Sequence, residues 1–222
     1  MRTNNIEDFL NDYYDPEKQH KDIKFIIDSL KEIPELRSSL PEHIMDLEEL
    51  IKQKKIYINS ELFALLDKTD SLLARDEILD LLVFSKKDKE KVAEFICNEL
   101  IKYEHIPISK EIESYLWFLC DKLFSLKVKK LIDMYHKIAQ ISSFGKQRQL
   151  LILLIGKIGD TSSIPLLIEL TEDKTVDGHA LDALCNFNDH RVIEVAKRFV
   201  DDKRTWVCKK AKKKVMLGVV IL

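Results

Sequence analysis

The sequence predicts an all-α protein, and three observations carry that prediction. Its 222 residues include only 5 Gly and 5 Pro, too few for the tight turns of a many-stranded sandwich or barrel. No stretch alternates apolar and polar residues beyond about four positions, as a half-buried strand would. The second half also repeats. Ile155, Ile158, Asp160, Ile164, Leu167, Leu170 and Asp173 are followed 29 residues later by Leu184, Phe187, Asp189, Ile193, Ala196, Phe199 and Asp202. Apolar positions and turn aspartates return together, the pattern of helix pairs that must stack to bury their apolar stripes.

The elements follow in order. A short helix is expected over 5–14, stopped at Pro16. Residues 17–33 place Ile23, Phe25–Ile27, Leu30 and Ile33 at helical spacing, and Pro34 ends that helix or closes the next turn. Pro41 suits the first turn of a helix over "EHIMDLEELIKQKK", and Ser60 is the expected cap of "ELFALLDK". A helix over 72–84 buries Leu72, Leu73, Ile78, Leu81 and Leu82. Ser85, with Asp88 three residues on, reads as the start of "KKDKEKVAEFICNELIKYE". Pro107 breaks the pattern, Ser109 caps "KEIESYLWFLCDKLF", and 127–140 is again helical. Two regions result, an irregular helical one over 1–105 and a repeating one over 106–222, most regular from 145.

Composition narrows the class. At 45% hydrophobic and 33% charged, the chain is too apolar for a disordered segment, and a dinucleotide-binding fold needs more glycine. The net charge of −2 hides an asymmetry: residues 1–50 carry 13 acidic against 6 basic residues, whereas 203–222 carry 7 basic and no acidic ones. The near-neutral total argues against a dedicated nucleic-acid coat. The basic end is either a contact for phosphate or an acidic partner, or a solvated helix face. Cys97, Cys120, Cys185 and Cys208 lie inside apolar runs without metal-ligand spacing, as buried small hydrophobes of a reducing compartment do. The N-terminus lacks the apolar core of a signal peptide, and "LLILLIG" and "VMLGVVIL" are too short to span a bilayer. A cytoplasmic protein without a membrane partner is expected.

Chemistry is sparse. No phosphate-binding loop, HExxH or nucleophile elbow occurs. His136 with Asp133, and His179 with Asp182, share helix faces, yet neither pair has a third ligand in sequence, so satisfied or surface histidines are expected and no metal or cofactor is implied.

"LLILLIGKIGDTSSIPLLIELTED" resembles a HEAT-like repeat of the short bacterial type. In that family a Leu-Gly-x-Ile-Gly-Asp helix end leads into a helix with Ile-Pro-x-Leu near its start. Gly156, Ile158, Gly159 and Asp160 fit the first part, and Ile164, Pro165 and Leu167 the second. The next unit keeps only Asp189, with Asn188 in the place of Gly159. The resemblance covers about 145–216 and extends back toward 111. It implies a right-handed α-solenoid of stacked antiparallel helix pairs, a HEAT-like or armadillo-like superhelix.

Two functions compete within that fold. HEAT-like DNA-alkylation glycosylases set tryptophans, an Asp and an Arg around a damaged nucleotide. Trp117 and Asp121 match that family's Trp-x-x-x-Asp, Arg148 is the candidate cation, and Trp206 lies in the terminal repeat. Against this, "YLWFLCDKLF" reads as a core helix with Trp117 inside it, and basic charge outside 203–214 is thin for duplex DNA. The leading expectation is a non-catalytic protein-binding module: an adaptor, a regulator or a toxin-neutralising immunity protein. Its partner would be another protein on the concave or acidic surface, with Arg148, Asp182, Lys209 and Lys213 as binding-surface candidates.

Overall fold

The computed structural model describes residues 16–219. Among them are thirteen α-helices and no strand: α1 (Pro16–Lys31), α2 (Pro34–Arg37), α3 (Ile44–Lys52), α4 (Asn59–Leu66), α5 (Leu72–Ser85), α6 (Lys89–Lys102), α7 (Lys110–Leu126), α8 (Ile132–Ala139), α9 (Gln149–Ile158), α10 (Ile164–Leu170), α11 (Asp177–Leu184), α12 (His190–Lys197) and α13 (Thr205–Val219). The helix expected over 5–14 lies outside the described residues.

The chain divides into two compact units, 1–92 with 107–122, and 93–106 with 123–222. The division falls inside α6, at the Ile106–Pro107 junction, and inside α7. In the first unit α5 is central, packed against α1, α3 and α4. Leu73, Ala74, Ile78, Leu79, Leu81 and Leu82 are all buried, so α5 is apolar around most of its circumference, as a helix enclosed by neighbours must be. In the second unit α8 packs on α9, α9 on α11, and α11 on α13, while α10 packs on α11 and α12 on α13. The apolar character follows that order. α9 buries Leu151, Ile152, Leu154 and Ile155, whereas α12 buries only the stripe Val192, Val195 and Ala196.

The turn aspartates act as the sequence suggested. Asp160, Asp173, Asp189 and Asp202 each accept a hydrogen bond from the backbone N–H two residues on, at 2.8–3.1 Å, closing the turn before the next helix. Hydrogen bonds from Arg204 hold the Asp202 carboxyl down at about 2. Gly159 takes φ 71° at the end of α9, the left-handed geometry that its motif position called for.

Several side-chain hydrogen bonds of the second unit join residues 25–29 apart in sequence. His136 meets Ser163 at 2.8 Å, Arg198 donates to Thr171 at 2.6 Å, and Arg204 reaches Asp177, each 27 residues apart. Lys210 reaches Asp182 28 residues back, and Lys214 the Phe187 carbonyl 27 back.

Three helix starts differ from expectation. Ser60 lies inside α4, whose N-terminal flank is Ile58, and its hydroxyl donates to Glu61. Ser85 is the last residue of α5 and donates back to the Leu82 carbonyl at 3.0 Å. The turn after it is made by Lys86 and Asp88 at φ 54° and 52°. Helix α3 begins at Ile44, beyond the Pro41 turn. Ser109, in contrast, accepts from Ile112 N–H at 3.2 Å and caps α7 as expected.

Candidate functional site

Helix α7, whose residues 110–122 belong to the first unit, carries several of the candidate residues. Tyr115, Leu116, Leu119, Cys120 and Leu123 are fully buried, forming the stripe i, i+1, i+4, i+5, i+8 that one helix face presents. Trp117 falls outside that stripe. It is 37% exposed, edge-on to Phe118 at 5.3 Å, so it is a surface residue rather than the core residue the apolar run suggested. Asp121, one turn on, is half-buried, and burial pushes its carboxyl up against the pull of Lys122.

Lys122 is the group that sequence reasoning missed. Its side chain is 4% exposed and pairs with Asp76, itself 6% exposed, and with Asp80 at 3.0 Å. Burial works against the ammonium, but the two carboxylates outweigh it and hold Lys122 protonated. Its Nζ also lies 5.6 Å from the Phe118 ring centre. The only signal in sequence was a lysine inside "YLWFLCDKLF", since its partners lie 46 and 42 residues earlier (122 − 76 and 122 − 80).

Next to Asp76, burial pushes the Glu77 carboxyl up to about 7, opposed by a 3.4 Å bond from Gln19. A carboxyl with a raised folded pKa contributes stability that is complete below about pH 4 and lost as pH rises through about 7. Glu77→Gln is therefore expected to raise stability by about 1 kcal/mol at pH 8, with little change at pH 4. Urea melts at the two pH values check this.

The second unit places the remaining candidates. Arg148 is 1% exposed. Its guanidinium donates to the carbonyls of Gly145 and Ala139 at 3.1 and 2.6 Å, to Thr175 Oγ1 at 3.3 Å and to the Asp173 carboxylate. It ties the 139–145 segment to the turn at 173–175 and is not a surface cation. Trp117 and Asp121 belong to the first unit and Arg148 to the second. Asp182 is half-buried and bonded to Lys210. Lys209 and Lys213 are exposed on α13, whose Val207 and Ala211 are buried and whose Val215 is half-buried. His136 is satisfied by Ser163. His179 lies 5.2 Å from the Trp206 ring, and burial lowers both imidazoles. The four cysteines are free thiols. Among the described residues no three His, Cys, Asp or Glu side chains converge as metal ligands, and no helix is long and apolar enough to cross a membrane.

No protein-family model, curated protein or solved structure matches the chain.

Proposed function

We propose that the chain is a HEAT-like α-solenoid that works without catalysis by binding another protein. The observation that carries this reading is the packing succession α9–α11–α13, in which Arg204, Lys210 and Lys214 bond back to residues 27–29 earlier. Such a periodic stack offers a long, rigid surface built from one helix of each pair, suited to recognising a polypeptide.

The acidic first unit supplies a contact region. On and beside α3, Met45 is 76% exposed among the exposed acids Glu42, Asp46 and Glu49. A flexible apolar side chain ringed by like charges fits a partner with a basic rim and an apolar centre. A cationic toxin neutralised by this chain has that chemistry, as would a basic client of an adaptor or regulator. Affinity capture with the tagged protein tests the reading. A partner retained by the wild type and lost from a Glu42→Lys, Asp46→Lys, Glu49→Lys variant is expected.

Base release from alkylated DNA is the second reading, favoured by one observation: Trp117 is exposed, with half-buried Asp121 one helical turn away. Such a carboxylate would stabilise the positive charge that develops as the base leaves. The burial of Arg148 counts against it. Incubation with methylated duplex DNA is expected to release no 7-methylguanine or 3-methyladenine. Release that Asp121→Asn abolishes without unfolding the protein would establish the glycosylase instead.

A further inference from the structure

Helix α13 presents two unlike sides. Inward, Val207 and Ala211 are fully buried, Lys214 donates to the carbonyls of Cys185 and Phe187, and Lys210 is held by Asp182. Outward, Lys209, Lys212 and Lys213 are exposed, and the helix carries no acidic residue. The same side exposes Trp206 (42%), Met216 (70%) and Leu217 (52%). Positions 206, 209, 213, 216 and 217 follow i, i+3, i+7, i+10, i+11, which is one stripe of an α-helix.

Trp206 is fixed in place. Its ring lies 5.2 Å from His179 and over Gly178, where an added Cβ would come within 2.8 Å of the indole. With these neighbours beside it, the residue is still 42% exposed.

We propose that this outward stripe of α13 lies on an anionic lipid surface, a role separate from the protein-binding reading above. Charge complementarity requires an anionic partner, and three features choose lipid among the anions. First, the outward cations are all lysines, which act as point charges on long stems rather than as the planar forks that recognise individual phosphates or carboxylates. The nearby arginines are already paired, Arg204 with Asp177 and Asp202 and Arg198 with Glu172. Second, Met216 and Leu217 have no use against a nucleic-acid backbone but enter the boundary between headgroups and acyl chains. Third, a partly exposed indole is suited to the same boundary. At 15 residues α13 lies along the surface rather than spanning it. The acids at the edge of the stripe are Asp201, exposed in the preceding turn, and Asp182 and Asp202, both already paired.

The test uses the full chain carrying Trp117→Phe, which leaves Trp206 as the one remaining tryptophan of two. It is mixed with vesicles of phosphatidylcholine alone and of phosphatidylcholine with phosphatidylglycerol, and partition is read by co-sedimentation and Trp206 emission. Expected are partition onto the anionic vesicles only, a blue shift of Trp206, and weakening with added salt. Lys209→Glu with Lys213→Glu lowers partition at least about tenfold, from roughly fivefold per lysine. Met216→Ser with Leu217→Ser leaves a weaker, fully salt-sensitive association. Melting curves accompany each variant, and Lys209→Gln with Lys213→Gln replaces the glutamates if those unfold the chain. Absence of partition, equal partition onto neutral vesicles, insensitivity to the lysine changes, or tighter binding to a single-stranded oligonucleotide than to the vesicles would overturn the proposal. None of these outcomes depends on whether α3 holds a protein partner.

Discussion

Lys122→Ala is expected to destabilise the protein by about 3–5 kcal/mol, enough to unfold most single domains near their melting range. The side chain is 4% exposed, and its loss leaves Asp76, 6% exposed, as a buried carboxylate with no countercharge. Asp80, 39% exposed, has water to fall back on. The loss is therefore smaller at pH 5 than at pH 8, because the stranded Asp76 takes up a proton as the pH falls. Lys122→Met with Asp76→Leu removes both charges and fills similar volume, and should regain most of the lost stability. Chemical denaturation of the single and double variants at both pH values measures this. A Lys122→Ala variant as stable as the wild type would refute the buried pairing.

Gly156→Ala carries the second large effect. In a helix interior this change ordinarily stabilises by about 1 kcal/mol. Here the new Cβ would sit 2.5 Å from Ala183 Cα and 2.9 Å from its carbonyl oxygen, both backbone atoms that cannot rotate away. Helices α9 and α11 approach at this point with nothing between them, so the methyl group must push them apart and loosen the packing on both sides. A loss of about 2–4 kcal/mol is expected. Ala183→Gly in the same chain relieves the contact with Ala183 Cβ at 2.6 Å but not the backbone contacts, so rescue is partial. Full rescue would show that the backbones are not in contact.

These two sites mark the limits of the sequence. Gly156 stands out in the sequence as a lone glycine in an apolar run, and its contact with Ala183 of α11 supplies the reason. The four turn aspartates were equally legible, since an Asp bonding an N–H two residues on is a local event. Ser60 and Ser85 depart from expectation because a serine near a helix end serves either the start or the finish. The α5 end was settled by Lys86 and Asp88 adopting left-handed turns that no glycine announces. The exposure of Trp117 is hidden in the sequence for a related reason. In a run where nearly every residue is apolar, composition does not show which face is turned inward, and only the alignment of Tyr115, Leu119 and Leu123 against the core decides it. Long-range electrostatics were not legible at all. Lys122 with Asp76, and Arg148 with Asp173, depend on which helices become neighbours.

The central claim is that a stacked helical scaffold presents a surface to another protein, and affinity capture from the source cells tests it most directly. The tagged chain, its Glu42→Lys, Asp46→Lys, Glu49→Lys variant and its Lys209→Glu, Lys213→Glu variant are run in parallel, with eluates quantified by mass spectrometry. The account predicts one basic protein recovered in near-stoichiometric amount with the wild type and with the α13 variant, and lost from the α3 variant. A wild-type chain that elutes alone, or a partner held equally by the charge-reversed α3 variant, would contradict it.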